Sequence, residues 1–323
     1  MNAALPTRAI LAATDLTEAS DPVLRAAAAL CALTGATLHV LHAFDFPMSP
    51  YTDTVAGVAS FQARIGQSER DLRRQIERVV PAGVNVAEPR LEIYTAHRAI
   101  LEHARSIGAE LVVIGPHARR EMEVGFLGGT ADRLLRTLEA PCLVVRGELR
   151  MPLRHVLVPM DLSDPSRAAM DVAVAWATGL GEHRGDLPGA ETEISVVHVV
   201  PRELTGPGLP FERAEVMPGW NAALDELGKR AGPDVELRET VLFGNRPADE
   251  IVGLATREKA DLVVMSTHGY GAVKRALLGS TAQSVARRAP CPVLMVPPRL
   301  WVPEAEAAEP ALDAASLFAP PPV

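Results

Sequence analysis

The sequence predicts an α/β protein built from two tandem, doubly wound domains, each with a five-stranded parallel sheet. The first observation is an internal repeat. AILAATDLTEAS at 9–20 returns as HVLVPMDLSDPS at 155–166, TLHVLHAF at 37–44 as EISVVHVV at 193–200, AELVVIGPHA at 109–118 as ADLVVMSTHG at 260–269, and FLGGTA at 126–131 as LLGSTA at 277–282. The offsets run from 146 to 156, too long for a solenoid repeat and right for a duplicated domain. The second observation is that short runs of Val, Ile and Leu alternate with longer stretches of helical character within each half, the pattern of a parallel sheet covered on both faces.

In chain order, the first half offers strands at 9–14, 37–43, 91–94, 110–115 and 142–145. Helices fit at 20–34, 58–79, 97–107 and 129–138. The first helix carries start and stop signals: Ser20 or Asp21 as N-cap, Pro22 in the first turn and Gly35 just past the end. The second half repeats the order, with strands at 155–160, 193–199, 236–242, 261–266 and 292–296. Its helices fit at 166–179, 216–231, 247–258 and 280–288. The polar, glycine-rich stretch at 181–191 reads as a loop insertion. Domains are expected at 1–148 and 149–298. The Pro, Ala and Glu-rich residues 299–323 read as a disordered tail. Each half ends in a short apolar strand whose bare edge would invite aggregation, so the two edges are expected to meet as an internal pseudo-dimer.

Composition narrows the function. The chain has 323 residues, 48% hydrophobic and 22% charged, with 32 Lys and Arg against 40 Asp and Glu, a net charge of −8. No basic footprint for nucleic acid is present. An acidic surface repels phosphate at long range, so a phosphate ligand must be held by local backbone donors. No run of about 18 apolar residues suggests a membrane span, and MNAALPTRAI lacks a secretion-signal pattern, so a cytoplasmic protein is expected. Cys31, Cys142 and Cys291 form no CxxC pair and read as small buried apolar residues.

Ligands of an open parallel sheet lie in the crevice beyond the carboxyl ends of its strands. There the first strands run into Asp15 and Asp161, and the fourth into Gly115 and Ser266. The loop STHGYGAVKRALLGS at 266–280 opens a helix. Its Gly269, Gly271 and Gly279 permit positive φ and close backbone approach, so successive N–H groups can face phosphate oxygens. Ser280 and Thr281 add hydroxyls at the helix N-terminus, where the dipole favours an anion. Blander readings stand beside these. The two aspartates can cap the turn into the first helix, and the glycines can be turn residues alone. His42 and His198, at equivalent strand positions, read as hydrogen-bonded structural histidines. His117 and His268 read as loop or surface residues, and Lys274 and Arg275 as part of a solvated face.

The spacing G-2x-G-9x-G-[ST] after the fourth strand, the aspartate after the first, and APCPVLMV at the end together resemble the universal stress protein family. The resemblance occurs twice and omits only the tail. It implies an adenine nucleotide alpha hydrolase-like fold with strand order 3-2-1-4-5, an ATP or AMP (or ADP) site, with or without magnesium, in one branch of the family, and pairing of domains through the last strand. A further homodimer stays open. Residue by residue, the resemblance assigns Asp161 to adenine or ribose and Val199 to an adenine wall. Met265 and Ser266 follow at the strand end, with Gly269, Gly279, Ser280 and Thr281 around ribose and phosphates. Ser266 replaces the family's first glycine, keeping a small side chain but losing a glycine-only backbone conformation. The weaker first-half set is Asp15, Gly115, Gly128, Gly129 and Thr130. There Ala118 replaces the second glycine, Gly129 replaces the hydroxyl, and Glu121 and Glu123 bring unfavourable charge.

The three lysines, at 229, 259 and 274, never stand in a Walker P-loop. No G-x-S-x-G elbow, H-E-x-x-H helix or zinc-spaced Cys/His set exists, and no general base can be nominated. The expected function is a nucleotide-binding regulatory or protective protein of the stress response, with ATP mainly in the second half and at most weak hydrolysis. Two rivals remain: an interaction module with vestigial sites, and a slow ATPase or adenylating enzyme.

Overall fold

The computed structural model describes residues 5–44, 55–116, 127–181, 192–202, 220–231, 235–269 and 278–298. His117, Ala118, Glu121, Glu123, Gly271, Lys274, Arg275, residues 182–191, 216–219 and the tail at 299–323 lie outside the described residues.

In the first half the chain runs β1 (Ala9–Thr14), α1 (Asp21–Thr34), β2 (Thr37–Ala43), α2 (Val55–Val79), β3 (Arg90–Glu92), α3 (Ala96–Ser106), β4 (Leu111–Ile114), α4 (Gly129–Thr137) and β5 (Cys142–Val144). The second half runs β6 (His155–Pro159), α5 (Asp164–Gly181), β7 (Thr192–Val200), α6 (Trp220–Ala231), β8 (Val235–Phe243), α7 (Pro247–Arg257), β9 (Leu262–Ser266), α8 (Ser280–Arg288) and β10 (Val293–Val296). Each half has the strand order 3-2-1-4-5, and the two join in one ten-stranded sheet, β3-β2-β1-β4-β5-β10-β9-β6-β7-β8. All pairs within a half are parallel.

The junction is the antiparallel pair β5 and β10, with Val144 opposite Val293, Leu143 opposite Leu294 and Cys142 opposite Met295. Leu143 and Leu294 are fully buried, each contributing roughly 1.5–3 kcal/mol by leaving water. The apolar edges foreseen from sequence therefore cover each other. Above them, Gln283 of α8 donates to Asp132 of α4 at 2.6 Å. Positions 132 and 283 are equivalent in the repeat, so a carboxylate on one half meets an amide on the other. Because the halves are antiparallel across this seam, the carboxyl ends of their strands open at opposite margins of the sheet.

Side chains alternate between two cores, one on each face. Ile10, Ala12, Leu24, Leu38, Val156, Met170 and Trp220 belong to the core under α1, α2, α5 and α6. Leu11, Val112, Leu134, Leu157, Val263 and Val285 belong to the core under α3, α4, α7 and α8. Both cores run through the two halves without a break. The three cysteines are buried. Burial pushes the Cys31 and Cys291 thiols up to about 12 and Cys142 higher still, which leaves them protonated and unreactive. Among the described residues, no helix is long and apolar enough to cross a membrane.

Ser20 departs from its expected role. Its side chain makes no cap bond to α1. Instead Ser20 Oγ lies 2.7 Å from Thr14 Oγ1 and donates to Thr17 O, as part of a buried polar cluster that Gln75 of α2 completes through Thr14, Thr17 and Asp21. Gly35 does close α1, at φ 74°.

The cluster is sensitive to pH through Asp21, which also accepts from Arg78 at 2.5 and 2.9 Å. Burial raises its pKa, but the Arg78 and Gln75 hydrogen bonds outweigh burial and hold the carboxyl below its ordinary 3.8. A depressed folded pKa adds stability above the unfolded value, and that stability is lost as pH falls through the folded value. Asp21→Ala should therefore be less stable than wild type at pH 7, with the gap in urea midpoint narrowing once pH drops below 3.8. A gap that stays constant into that range would show that the carboxylate charge contributes nothing.

Candidate functional site

The second-half crevice holds a cavity of about 530 Å³ at the carboxyl ends of β6, β7 and β9. Asp161, Val199, Met265, Ser266, Gly269, Gly279, Ser280 and Thr281 all line it. Their chain positions span some 120 residues, so it is the parallel sheet that brings them together.

Asp161 stands just past β6, in the turn that leads into α5. Its Oδ1 accepts the Ser163 N–H at 3.0 Å and also the Ser163 hydroxyl, closing a tight turn in which Leu162 has φ 64°. The first half repeats this turn. Thr17 donates its N–H and hydroxyl to Asp15 Oδ1 at 3.0 and 2.7 Å, and Leu16 has φ 65°. A left-handed leucine is unfavourable, and its presence in both copies marks a turn imposed by the side-chain hydrogen bonds.

The glycines act by size rather than by backbone conformation. Neither Gly269 nor Gly279 has positive φ, contrary to the expectation for this loop. A Cβ on Gly269 would stand 2.6 Å from Asp161 Oδ2, so glycine is what lets the aspartate lie against the loop. Gly279 is the N-cap of α8, at φ −59°. Its N–H donates to Thr267 O at 2.9 Å, and a Cβ there would meet that same oxygen at 3.4 Å. Ser266 needs no glycine conformation either. It ends β9 in extended backbone, and its hydroxyl donates to His268 O at 2.5 Å.

The first turn of α8 forms part of the lining. The first bond inside the helix runs from Gln283 N–H to Gly279 O at 2.8 Å, which leaves the N–H groups of Ser280, Thr281 and Ala282 without helical acceptors. Beside them stand the Ser280 and Thr281 hydroxyls. No Lys or Arg lines the cavity among the described residues, so attraction for an anion comes from backbone donors and the helix dipole.

Of the histidines weighed from sequence, His198 and His268 line the cavity. His198 Nδ1 donates to Met160 O at 2.7 Å, and the equivalent His42 Nδ1 donates to Thr14 O at 2.9 Å. Both are structural histidines tying the second strand of each half to the first, and His198 also lines the cavity and packs on Trp220 at 5.3 Å between rings. His268, expected in a loop or on the surface, is buried, lines the cavity, and places Nδ1 2.8 Å from Thr267 Oγ1. Sequence reasoning missed Pro247 and Ile251, which form the wall from α7. Their i, i+4 spacing at the start of an amphipathic helix was the available signal.

In the first half, Gly128 is the N-cap of α4 and its N–H donates to Pro116 O at 2.8 Å, mirroring Gly279. Gly129 and Thr130 open the helix, while Gly115 follows β4. Gly129 supplies no hydroxyl where Ser280 does.

The model of the universal stress protein family matches residues 6–146 and again 152–297. The chain belongs to this family, in two tandem copies. A universal stress protein of Mycolicibacterium smegmatis is 27% identical over 305 residues, spanning 90% of this chain and 97% of its own. Another, from Methanocaldococcus jannaschii, is 54% identical over 158 residues, 44% of this chain and 81% of its own. The crystal structure of a universal stress protein from Archaeoglobus fulgidus shares the fold at a TM-score of 0.63 and 19% identity, covering 89% of this chain and 97% of that one.

Gly269→Ala tests the packing of the turn. The new methyl must push Asp161 off the loop, weakening its bond to Ser163. The Ser163 amide proton should move upfield in NMR spectra and exchange faster, with a stability loss of roughly 0.5–1.5 kcal/mol for the bond. An unmoved Ser163 amide would contradict the arrangement.

Proposed function

We propose that the second-half cavity binds an adenine nucleotide, ATP in preference, and that the protein is a nucleotide-responsive regulatory or protective protein of the stress response rather than a dedicated enzyme. The observation that carries this reading is the convergence of eight residues on one cavity whose lining combines apolar side chains with the donors of a helix N-terminus. Val197, Val199, Ile251 and Leu278 make an apolar slot fit for a flat base. The open N-terminus of α8, with Ser280 and Thr281, offers donors fit for phosphates. Asp161, on the same lining, offers an acceptor for ribose or adenine. Magnesium, if taken, would come in with the phosphates. Membership of the universal stress protein family supports the class, and the cytoplasm suits three protonated, unpaired cysteines.

The same chemistry makes the halves unequal. Phosphate binding without a lysine needs close backbone approach and every available hydroxyl, and in sequence the first half has lost both the glycine that Ala118 replaces and the hydroxyl that Gly129 replaces. Losing two contacts of roughly 1–1.5 kcal/mol each weakens binding about tenfold or more. In calorimetric titration with ATP, Gly279→Val combined with Ser280→Ala should therefore lose most binding, while Gly128→Val keeps it nearly intact. If Gly128→Val removes half or more of the binding and the second-half variant retains it, the working site has been assigned to the wrong half.

A further inference from the structure

At the margin of the second half opposite the nucleotide cavity, four ionisable side chains meet on three strands and the end of a helix. His155 and Glu193 are register partners across β6 and β7. Glu258 directly follows α7, and Arg238 comes from β8 opposite Ser195. His155 Nε2 lies 3.2 Å from Glu193 Oε1 and 3.3 Å from Glu258 Oε2, and one ligand atom from each of the three residues lies within 4.8 Å of the others. We propose that His155, Glu193 and Glu258 form a binding site for a divalent transition-metal ion of the zinc class, which Arg238 occupies as a cationic stand-in when metal is absent.

Geometry comes first. A tetrahedral ion with bonds of about 2.0–2.1 Å holds its ligand atoms about 3.3 Å apart, the spacing His155 already keeps from both carboxylates. The imidazole is also oriented as a ligand. Its Nδ1 donates to the Glu258 carbonyl oxygen at 3.3 Å, while its Nε2 lies 2.9 Å from the Ser195 hydroxyl and beside both carboxylates, so a metal entering there takes the Nε2 position and releases any proton it carries. Such an outer hydrogen bond fixes the tautomer of metal-binding histidines. The backbone beneath is pinned as well, since Asp261 accepts the N–H groups of Arg154 and His155 at 3.0 and 3.1 Å.

The repeat shows that the fold does not need this set. In the first half the register pair is Ala9 and Thr37, and the residue following α3 is Ile107. The next residue is the left-handed Gly108, at φ 59°, whereas the second half places Lys259 there at φ 52°, a costly conformation for a residue with a side chain. These three donors therefore arose in one copy only.

Arg238 marks the charge requirement. Its Nε lies 3.0 Å from Glu193 Oε1, its Nη2 contacts Glu258, and both nitrogens donate to Ser195 Oγ. One guanidinium offsets one of the two carboxylate charges, and a dication would offset both. The Arg238 side chain is 41% exposed, so solvent can receive it when metal enters. Imidazole with two carboxylates suits zinc or cobalt better than magnesium, which favours oxygen ligands alone.

The test is titration of the full chain with zinc in competition with a chromophoric chelator, repeated with cobalt to follow the visible bands of a tetrahedral ion. Wild type should take up one saturable equivalent. Arg238→Ala should bind about tenfold more tightly, by analogy with the 10–100-fold effects of outer-shell groups. His155→Ala should lose about 100-fold or more together with the cobalt bands. Glu193→Gln, which keeps the side chain's shape, should lose about tenfold and serves if the alanine variant does not fold. Asp161→Ala, in the nucleotide cavity, should leave zinc uptake unchanged. The proposal is overturned if neither wild type nor Arg238→Ala takes up stoichiometric metal, or if His155→Ala and Glu193→Gln bind as tightly as wild type.

Discussion

Antiparallel pairing of β5 with β10 is the interaction on which the rest of this molecule depends. Without it, each half would end in a short strand of buried apolar residues with bare N–H and C=O groups along one side. With it, two five-stranded sheets become one of ten strands, and the cores on both faces run through the seam. The pairing also fixes where chemistry can occur. Because the halves run in opposite directions, the second-half cavity and the first-half crevice open at opposite margins. The His155 cluster, at the amino ends of its strands, shares the margin of the first-half crevice.

Covalent fusion of the two copies lets them diverge in ways identical chains cannot. Asp132 and Gln283 occupy one repeat position and hydrogen-bond across the seam. Two identical copies would set acid against acid or amide against amide. The same freedom separates Ser280 from Gly129 at the helix N-terminus, and His155 from Ala9 at the start of the first strand. In each case one half keeps or gains polar chemistry while the other keeps only the fold.

Much of the architecture could be read from the chain, because hydrophobic periodicity and repetition are global signals. The runs at 9–14, 37–43, 155–160 and 261–266 are nearly all strand in the structure, and the two terminal apolar strands meet as their composition requires. Turn chemistry was less legible. Nothing in Asp-Leu-Thr or Asp-Leu-Ser announces a left-handed leucine, which arises when the preceding carboxylate captures an N–H two residues on. Of the two reasons the glycine pattern suggested, close approach holds for Gly269, which makes room for Asp161, and positive φ does not. Ser20 looked like a helix cap, but its neighbours in the structure include Gln75, which lies 55 residues away in sequence. Long-range polar contacts of this kind leave no local trace. The His155 cluster was invisible for the same reason, its members lying more than 100 residues apart from end to end.

Duplication and fusion have produced one ten-stranded sheet, and we propose that it carries one working nucleotide cavity. The most direct test is the stoichiometry of ATP on the full chain, counted by native mass spectrometry across a range of ATP concentrations. One nucleotide per chain at saturation of the tighter phase, with any second addition at least about tenfold weaker by the contact arithmetic above, is the predicted result. Two additions of equal affinity, or none at all, would contradict it.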